Sequence, residues 1–141
     1  MIDNATDYCW SFFLKKKLQT SAKVRELIKD LKSKLGITVK HIRCDNAGEN
    51  KNLQRNSLRD GLGLTFEFTA PGTPQQQGRM ERKFATFYGR MRAMMKRAGL
   101  NEKQRQSLWT EVANTANDLE NVLVSPLQTK PAHESFYRTR F

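Results

Sequence analysis

The chain has 141 residues, enough for one domain built around one core. Its formal net charge is +11 and its pI is about 10, which favours a polyanionic partner over a charge excess that only aids solubility. No segment approaches the roughly 20 consecutive apolar residues of a membrane span, and residues 1–4 do not begin a signal peptide. We therefore expect an intracellular protein of the nucleus or cytoplasm, with no membrane partner. Cys9 and Cys44 fit no zinc-binding spacing and are expected to be reduced and buried.

The first half of the chain predicts strands on either side of a helix. Residues 8–14 are rich in aromatic side chains, which favours a buried strand, and residues 1–3 would end a preceding strand paired with it in a hairpin. An amphipathic helix is predicted from Thr20, which together with Ser21 is a candidate cap, to Gly36. Its inner face would comprise Val24, Leu27, Ile28, Leu31 and Leu35.

A strand over residues 37–44, a short helix and a strand over residues 64–69 follow. The short helix would carry Leu53, Leu58 and Leu62. Together with the helices further on, these elements predict an α/β layer fold with a mixed sheet.

Two long helices are predicted in the second half, after a loop over residues 70–77. The first would run from Gly78 to about Ala98, with one apolar side formed by Phe84, Phe87, Tyr88, Met91, Met94 and Met95. The second would cover residues 102–124, with Leu108, Trp109, Val112, Ala116, Leu119 and Val122 facing inward. The tail, residues 130–141, has room for one helical turn.

Two carboxylates stand in distinctive positions. Asp45 ends the predicted strand over residues 37–44, Glu81 lies in the first turn of the helix that follows the loop, and 35 residues separate them. Carboxylates on rigid elements can converge on one divalent cation, because hard cations bind several carboxylate oxygens. In a strongly basic protein, such a pair indicates phosphodiester chemistry on nucleic acid. The alternative is that Asp45 only caps a turn and Glu81 only lies on a solvated helix face.

The helix that carries Glu81 is unusually basic. Glu81 is the only acid between residues 78 and 100, whereas the cations are Arg79, Arg82, Lys83, Arg90, Arg92, Lys96 and Arg97. This imbalance favours phosphate contacts over a solvated face, above all for Arg82 and Lys83. Gln77 lies one turn before Glu81 and is a candidate to hydrogen-bond DNA. Residues 15–17, three lysines, either touch DNA or simply end a strand.

Taken together, these motifs resemble the catalytic core of a retroviral-type integrase, closest to the copia class of retrotransposons. The resemblance covers nearly the whole chain in order, at residues 3–8, 43–49, 70–83, 107–112 with Asn121, and 130–134. It implies a ribonuclease-H-like mixed sheet flanked by helices, Mg²⁺- or Mn²⁺-dependent DNA strand transfer with two ions, and a homo-oligomer. It also implies that Asp45 and Glu81 are catalytic metal ligands, and that Gln77, Arg79, Arg82 and Lys83 bind DNA.

The chain departs from the family pattern at three points. Gln77 stands where the family usually has Asn, and Ala47 where it usually has Gly. The family's first catalytic aspartate belongs to the strand before Asp3, so the resemblance implies an incomplete first hairpin and two of three catalytic carboxylates. An integrase core with impaired strand transfer is therefore the first prediction. The alternatives are an inactive DNA-binding remnant and, less favoured by the 35-residue spacing, a ribonuclease or transposase of the same fold.

Overall fold

A computed structural model describes residues 1–69, 74–124 and 128–138, apart from the side chains of residues 74–77 and 79. The elements in chain order are α1 (Thr20–Leu35), β1 (His41–Cys44), α2 (Gly48–Arg59), β2 (Thr65–Phe68), α3 (Pro74–Arg97), α4 (Glu102–Val122) and α5 (Ala132–Tyr137). The predicted α/β class is confirmed. Among these helices, none combines the length and the apolar composition needed to cross a membrane.

The chain divides into two compact units. The strand unit is Phe12–Gln77, and the helical unit is Met1–Ser11 together with Gly78–Phe141. Each is described by itself below. The single domain expected from the chain length stays a prediction.

In the strand unit, β1 and β2 form a parallel pair joined by α2. The register runs from His41 opposite Thr65 to Cys44 opposite Phe68. A parallel pair needs a crossover connection, and α2 supplies it. Residues alternate along both strands, so that Ile42, Cys44, Phe66 and Phe68 are half-buried while the intervening residues are exposed.

Helix α1 packs against α2 through a small apolar core. Its buried residues are Val24, Ile28 and Leu31 of α1 and Leu53 of α2. Polar contacts frame this core, since Asn56 Nδ2 donates to Ser21 Oγ at 3.1 Å and Arg25 donates to Asp60. These contacts fix the two helices against each other.

The predicted end of α1 is confirmed, whereas its predicted cap is wrong. Gly36 adopts the left-handed conformation, with φ of 66°, and its N–H bonds to carbonyls of the last turn. The N-cap position is Gln19, which makes no side-chain capping bond, because a short 3₁₀ turn, Lys17–Gln19, leads directly into the helix. Leu35, which was predicted to lie on the inner face of α1, is exposed, and so is Leu58 of α2.

The helical unit begins with a short hairpin. Asp3 N–H donates to the carbonyl of Tyr8 and Trp10 N–H donates to that of Met1, each at 2.9 Å, and Ile2 pairs antiparallel with Cys9. The predicted hairpin is thus confirmed, but the predicted strand over residues 8–14 is reduced to this single bridge. Among the described residues the only sheet is the parallel pair of β1 and β2, so the mixed sheet expected from the sequence is not formed there.

The helices of this unit bury fewer large side chains than their apolar stripes predict. The buried residues of α3 and α4 are Met91, Ala113, Ala116 and Asn121. Phe84, Leu108 and Trp109 are exposed, so the prediction that they face the core is wrong, and Tyr88 on the apolar side of α3 is exposed as well. Ala113 and Asn121 were not among the predicted inner residues of α4, so the face of this helix that is buried differs from the predicted one.

At the end of the chain, α5 packs against α4 and joins an aromatic cluster. Tyr8 stacks on Phe136 with ring centroids 5.0 Å apart, and it meets Trp10 and Tyr137 edge-on. Burial, a hydrogen bond with Tyr137 and nearby negative charge raise the pKa of Tyr8 far above its ordinary value, so its hydroxyl stays protonated. The cluster attaches α5 to the hairpin.

Candidate catalytic and nucleic-acid-binding residues

Asp45 directly follows β1, as predicted, and its side chain is exposed. The carboxylate oxygen Oδ1 accepts hydrogen bonds from Asn50 Nδ2 at 2.6 Å and from the backbone N–H of Ala47 at 3.2 Å. Asn50 lies in the first turn of α2, so this helix start holds the carboxylate from one side. Neither bond uses Oδ2, which has no donor among the described residues and is open to a ligand.

Cys44 precedes Asp45 at the end of β1. Burial, and secondly the charge of Asp45, raise the pKa of the Cys44 thiol to about 11. The thiol is therefore neutral at physiological pH, so of these two adjacent residues only Asp45 carries a negative charge. This favours a hard cation, bound through oxygen, over a soft metal bound through a thiolate.

Glu81 lies in α3 with an exposed side chain. It makes no hydrogen bond or ion pair with any described residue, so both of its oxygens are open. Because α3 begins at Pro74, Glu81 lies two turns inside the helix, and its predicted position in the first turn is wrong. A proline suits the first position of a helix, since the N–H that it lacks would have no partner there.

The two carboxylates belong to different units, Asp45 to the strand unit and Glu81 to the helical unit. In the described parts of the chain, no group of three or more His, Cys, Asp or Glu residues is positioned to hold a metal ion. The chemistry of the two side chains nevertheless fits Mg²⁺ or Mn²⁺, because both offer open carboxylate oxygens. Their roles as catalytic residues and metal ligands stay predictions.

Of the four predicted DNA-binding residues, two have described side chains. Arg82 is exposed and has no anionic partner among the described residues. Lys83, in contrast, donates from Nζ to Glu120 Oε1 at 2.7 Å, and Arg90 donates to the other oxygen of the same carboxylate, also at 2.7 Å. The side chains of Gln77 and Arg79 lie outside the described part of the structure.

Sequence reasoning missed Asn50 and Glu120. Asn50 had a local signal, since an amide in the first turn of a helix can reach back to a residue before that helix. Glu120 had none, because it lies 37 residues from Lys83 along the chain and on another helix.

Comparison with known proteins relates the chain to a retrotransposon polyprotein. No family model matches it. It is similar to the retrovirus-related Pol polyprotein from transposon TNT 1-94 of Nicotiana tabacum, with 32% identity over 115 residues. The match covers 82% of this chain but 8% of that polyprotein. The chain is thus related to a short segment of a retrotransposon polyprotein.

Proposed function

We propose that this chain, which shares its origin with a segment of a retrotransposon polyprotein, is part of an integrase catalytic core with a ribonuclease-H-like fold. It would act in transposition, at the step of DNA integration. The observation that carries the proposal is the position of Asp45, directly after a parallel strand, with one carboxylate oxygen held and the other open. The relation to a retrovirus-related polyprotein and the net charge of +11 support it.

Asp45 and Glu81 would hold the divalent cation, Mg²⁺ or Mn²⁺. The bound ion would supply an activated nucleophile and charge stabilisation at the scissile phosphate. Within this chain, Asn50 and the backbone of Ala47 bond to Oδ1 of Asp45, so that Oδ2 would be left open to hold the cation. Glu81 contributes an open carboxylate on α3, a helix whose other charged residues are all cations.

DNA would bind along α3. Arg82 is the side chain best placed for this, because it is exposed and next to Glu81. Gln77 and Arg79 complete the proposed set, whereas Lys83, the fourth residue of the sequence prediction, is bound to Glu120. Contacts of this kind go to the phosphate backbone, so binding should depend strongly on salt and little on base sequence.

Metal binding tests the proposal on the 141-residue chain itself. Mn²⁺ is titrated while the paramagnetic broadening of backbone amide signals is followed. Broadening should centre on residues next to Asp45 and Glu81, and Asp45→Asn or Glu81→Gln should each abolish it at both places. Glu111→Gln, at an exposed acid of α4, is the control and should leave the broadening unchanged. Broadening that is indifferent to Asp45→Asn would overturn the metal site.

DNA binding is measured separately, by the fluorescence anisotropy of a labelled duplex. Arg82→Glu should weaken DNA binding several-fold without altering Mn²⁺ binding. Asp45→Asn should abolish Mn²⁺ binding and leave DNA binding unchanged. If the chain is an inactive DNA-binding remnant, it should still bind DNA, but neither Asp45→Asn nor Glu81→Gln should change the broadening caused by Mn²⁺. The two readouts therefore distinguish the integrase core from the remnant.

A further inference from the structure

The basic helix α3 carries its cations in two different environments. Lys83 and Arg90 are seven residues apart, which is two helical turns, so they share one face. Both donate to Glu120, one to each carboxylate oxygen, at 2.7 Å. The exposed fractions of these side chains are 21% for Lys83, 25% for Arg90 and 16% for Glu120. This ion triad is largely withdrawn from solvent.

The other face of α3 has free cations. Arg82 and Lys96 are 14 residues apart, close to four full turns, and Arg92 lies one turn before Lys96. All three are exposed, and none has an anionic partner among the described residues. At 1.5 Å per residue, the stretch from Arg82 to Lys96 covers about 21 Å, the length of about six base-pair steps.

From this partition we propose that α3 binds the phosphate backbone of nucleic acid through Arg82, Arg92 and Lys96, and that Glu120 keeps Lys83 and Arg90 out of that surface. The carboxylate of Glu120 accepts the hydrogen bonds that Lys83 and Arg90 would otherwise donate to a phosphate. DNA can recruit Lys83 or Arg90 only by breaking these bonds, which leaves Glu120 half-buried without a partner. The inference rests on the proposed function, because it assigns the residues of the same DNA surface.

The salt dependence of DNA binding tests this inference. Each phosphate contact adds about 0.9 to the slope of log affinity against log salt concentration. Glu120→Gln should release two cations and steepen the slope by about 1.8, so affinity should fall about twelvefold further between 50 and 200 mM salt. Glu111→Gln is the matched control, because it removes the same charge from an exposed position of α4. Equal slopes for the two variants would overturn the inference.

A second set of variants keeps the Glu120 carboxylate in place and decides the matter if Glu120→Gln fails to fold. Lys83→Gln and Arg90→Gln should leave the salt slope of the parent chain unchanged, whereas Arg82→Gln should reduce it by about 0.9. If Lys83→Gln reduced the slope as much as Arg82→Gln, the inference would be wrong and DNA binding would still stand. If the parent chain showed no salt-dependent DNA binding, the proposed function and this inference would both fall.

Discussion

The side-chain amide of Asn121 binds both backbone groups of Cys9. Asn121 Oδ1 accepts from the Cys9 N–H at 2.8 Å, and Asn121 Nδ2 donates to the Cys9 carbonyl at 2.9 Å. The hairpin bonds at this point are made by the residues on either side of Ile2 and Cys9, so the N–H and C=O of Cys9 face away from Ile2. An asparagine of α4 therefore occupies the side of the hairpin where a neighbouring strand would pair.

Loss of this amide should destabilise the chain. Asn121 is 3% exposed, and Asn121→Ala would leave the Cys9 N–H without an acceptor. The carbonyl would keep only the longer bond from Asn117 Nδ2, at 3.2 Å. We expect the free energy of unfolding, measured by urea denaturation, to fall by about 2 to 3 kcal/mol. Asn114→Ala, at an exposed position of α4, should change it by less than about 0.5 kcal/mol.

Asp60 should make the strand unit sensitive to acid. The hydrogen bond from Arg25, helped by the nearby charges of Arg25 and Lys29, holds the pKa of Asp60 below its ordinary value. The carboxyl is thus more acidic in the folded than in the unfolded chain, so its contribution is complete above about pH 4 and is lost as the pH falls further. Urea midpoints at pH 7, 5 and 3 should show Asp60→Asn less stable than the parent chain at pH 7 and 5. That difference should close towards pH 3, and a constant difference would refute the assignment.

Local patterns predicted which side chains share a face, but not whether that face is covered. In α1 the periodic residues Val24, Ile28 and Leu31 are buried, because α2 lies against them. In α3 the same kind of stripe has Met91 buried at 7% exposure and Phe84 exposed at 51%. Periodicity is a property of one helix, whereas burial depends on its neighbours, which the spacing does not specify.

Truncation of a buried and of an exposed apolar side chain of α3 should lower the free energy of unfolding by different amounts. Met91→Ala should lower the free energy of unfolding by about 2 to 4 kcal/mol, because it leaves a cavity in a packed region. Phe84→Ala should cost about 1 kcal/mol or less, since much of the ring is already in contact with water. Both values can be read from the same urea titration. A larger loss for Phe84 than for Met91 would support the uniformly buried face that the sequence predicts.

The candidate site was predictable to the extent that it depends on local sequence. Asp45 was located at a strand end because the apolar, β-branched run before it is a strong strand signal, and β1 ends one residue before it. The surroundings of Lys83 were not predictable, since the half-buried anion beside it comes from a different helix. Charge counted along one helix overestimates the free positive charge wherever another element supplies the counter-ion.

Asn50 should act as a positioning residue for Asp45. Its Nδ2 donates to Asp45 Oδ1 at 2.6 Å, and also to the Asp45 carbonyl at 3.3 Å, so it fixes the direction of the open oxygen Oδ2. Asn50→Ala would free the carboxylate to rotate while leaving its charge intact. If Asp45 binds a divalent cation, the affinity for Mn²⁺ should then fall roughly tenfold, as is usual when the partner of a metal ligand is removed. The measurement is the Mn²⁺ concentration that half-broadens the amide signals of residues 44–48, with Asn52→Ala of the same helix as the control. Asn52→Ala should have the same Mn²⁺ midpoint as the parent chain, and Asp45→Asn should show no broadening. If Asn50→Ala also kept the midpoint of the parent chain, Asn50 would stabilise the turn and not position the metal ligand.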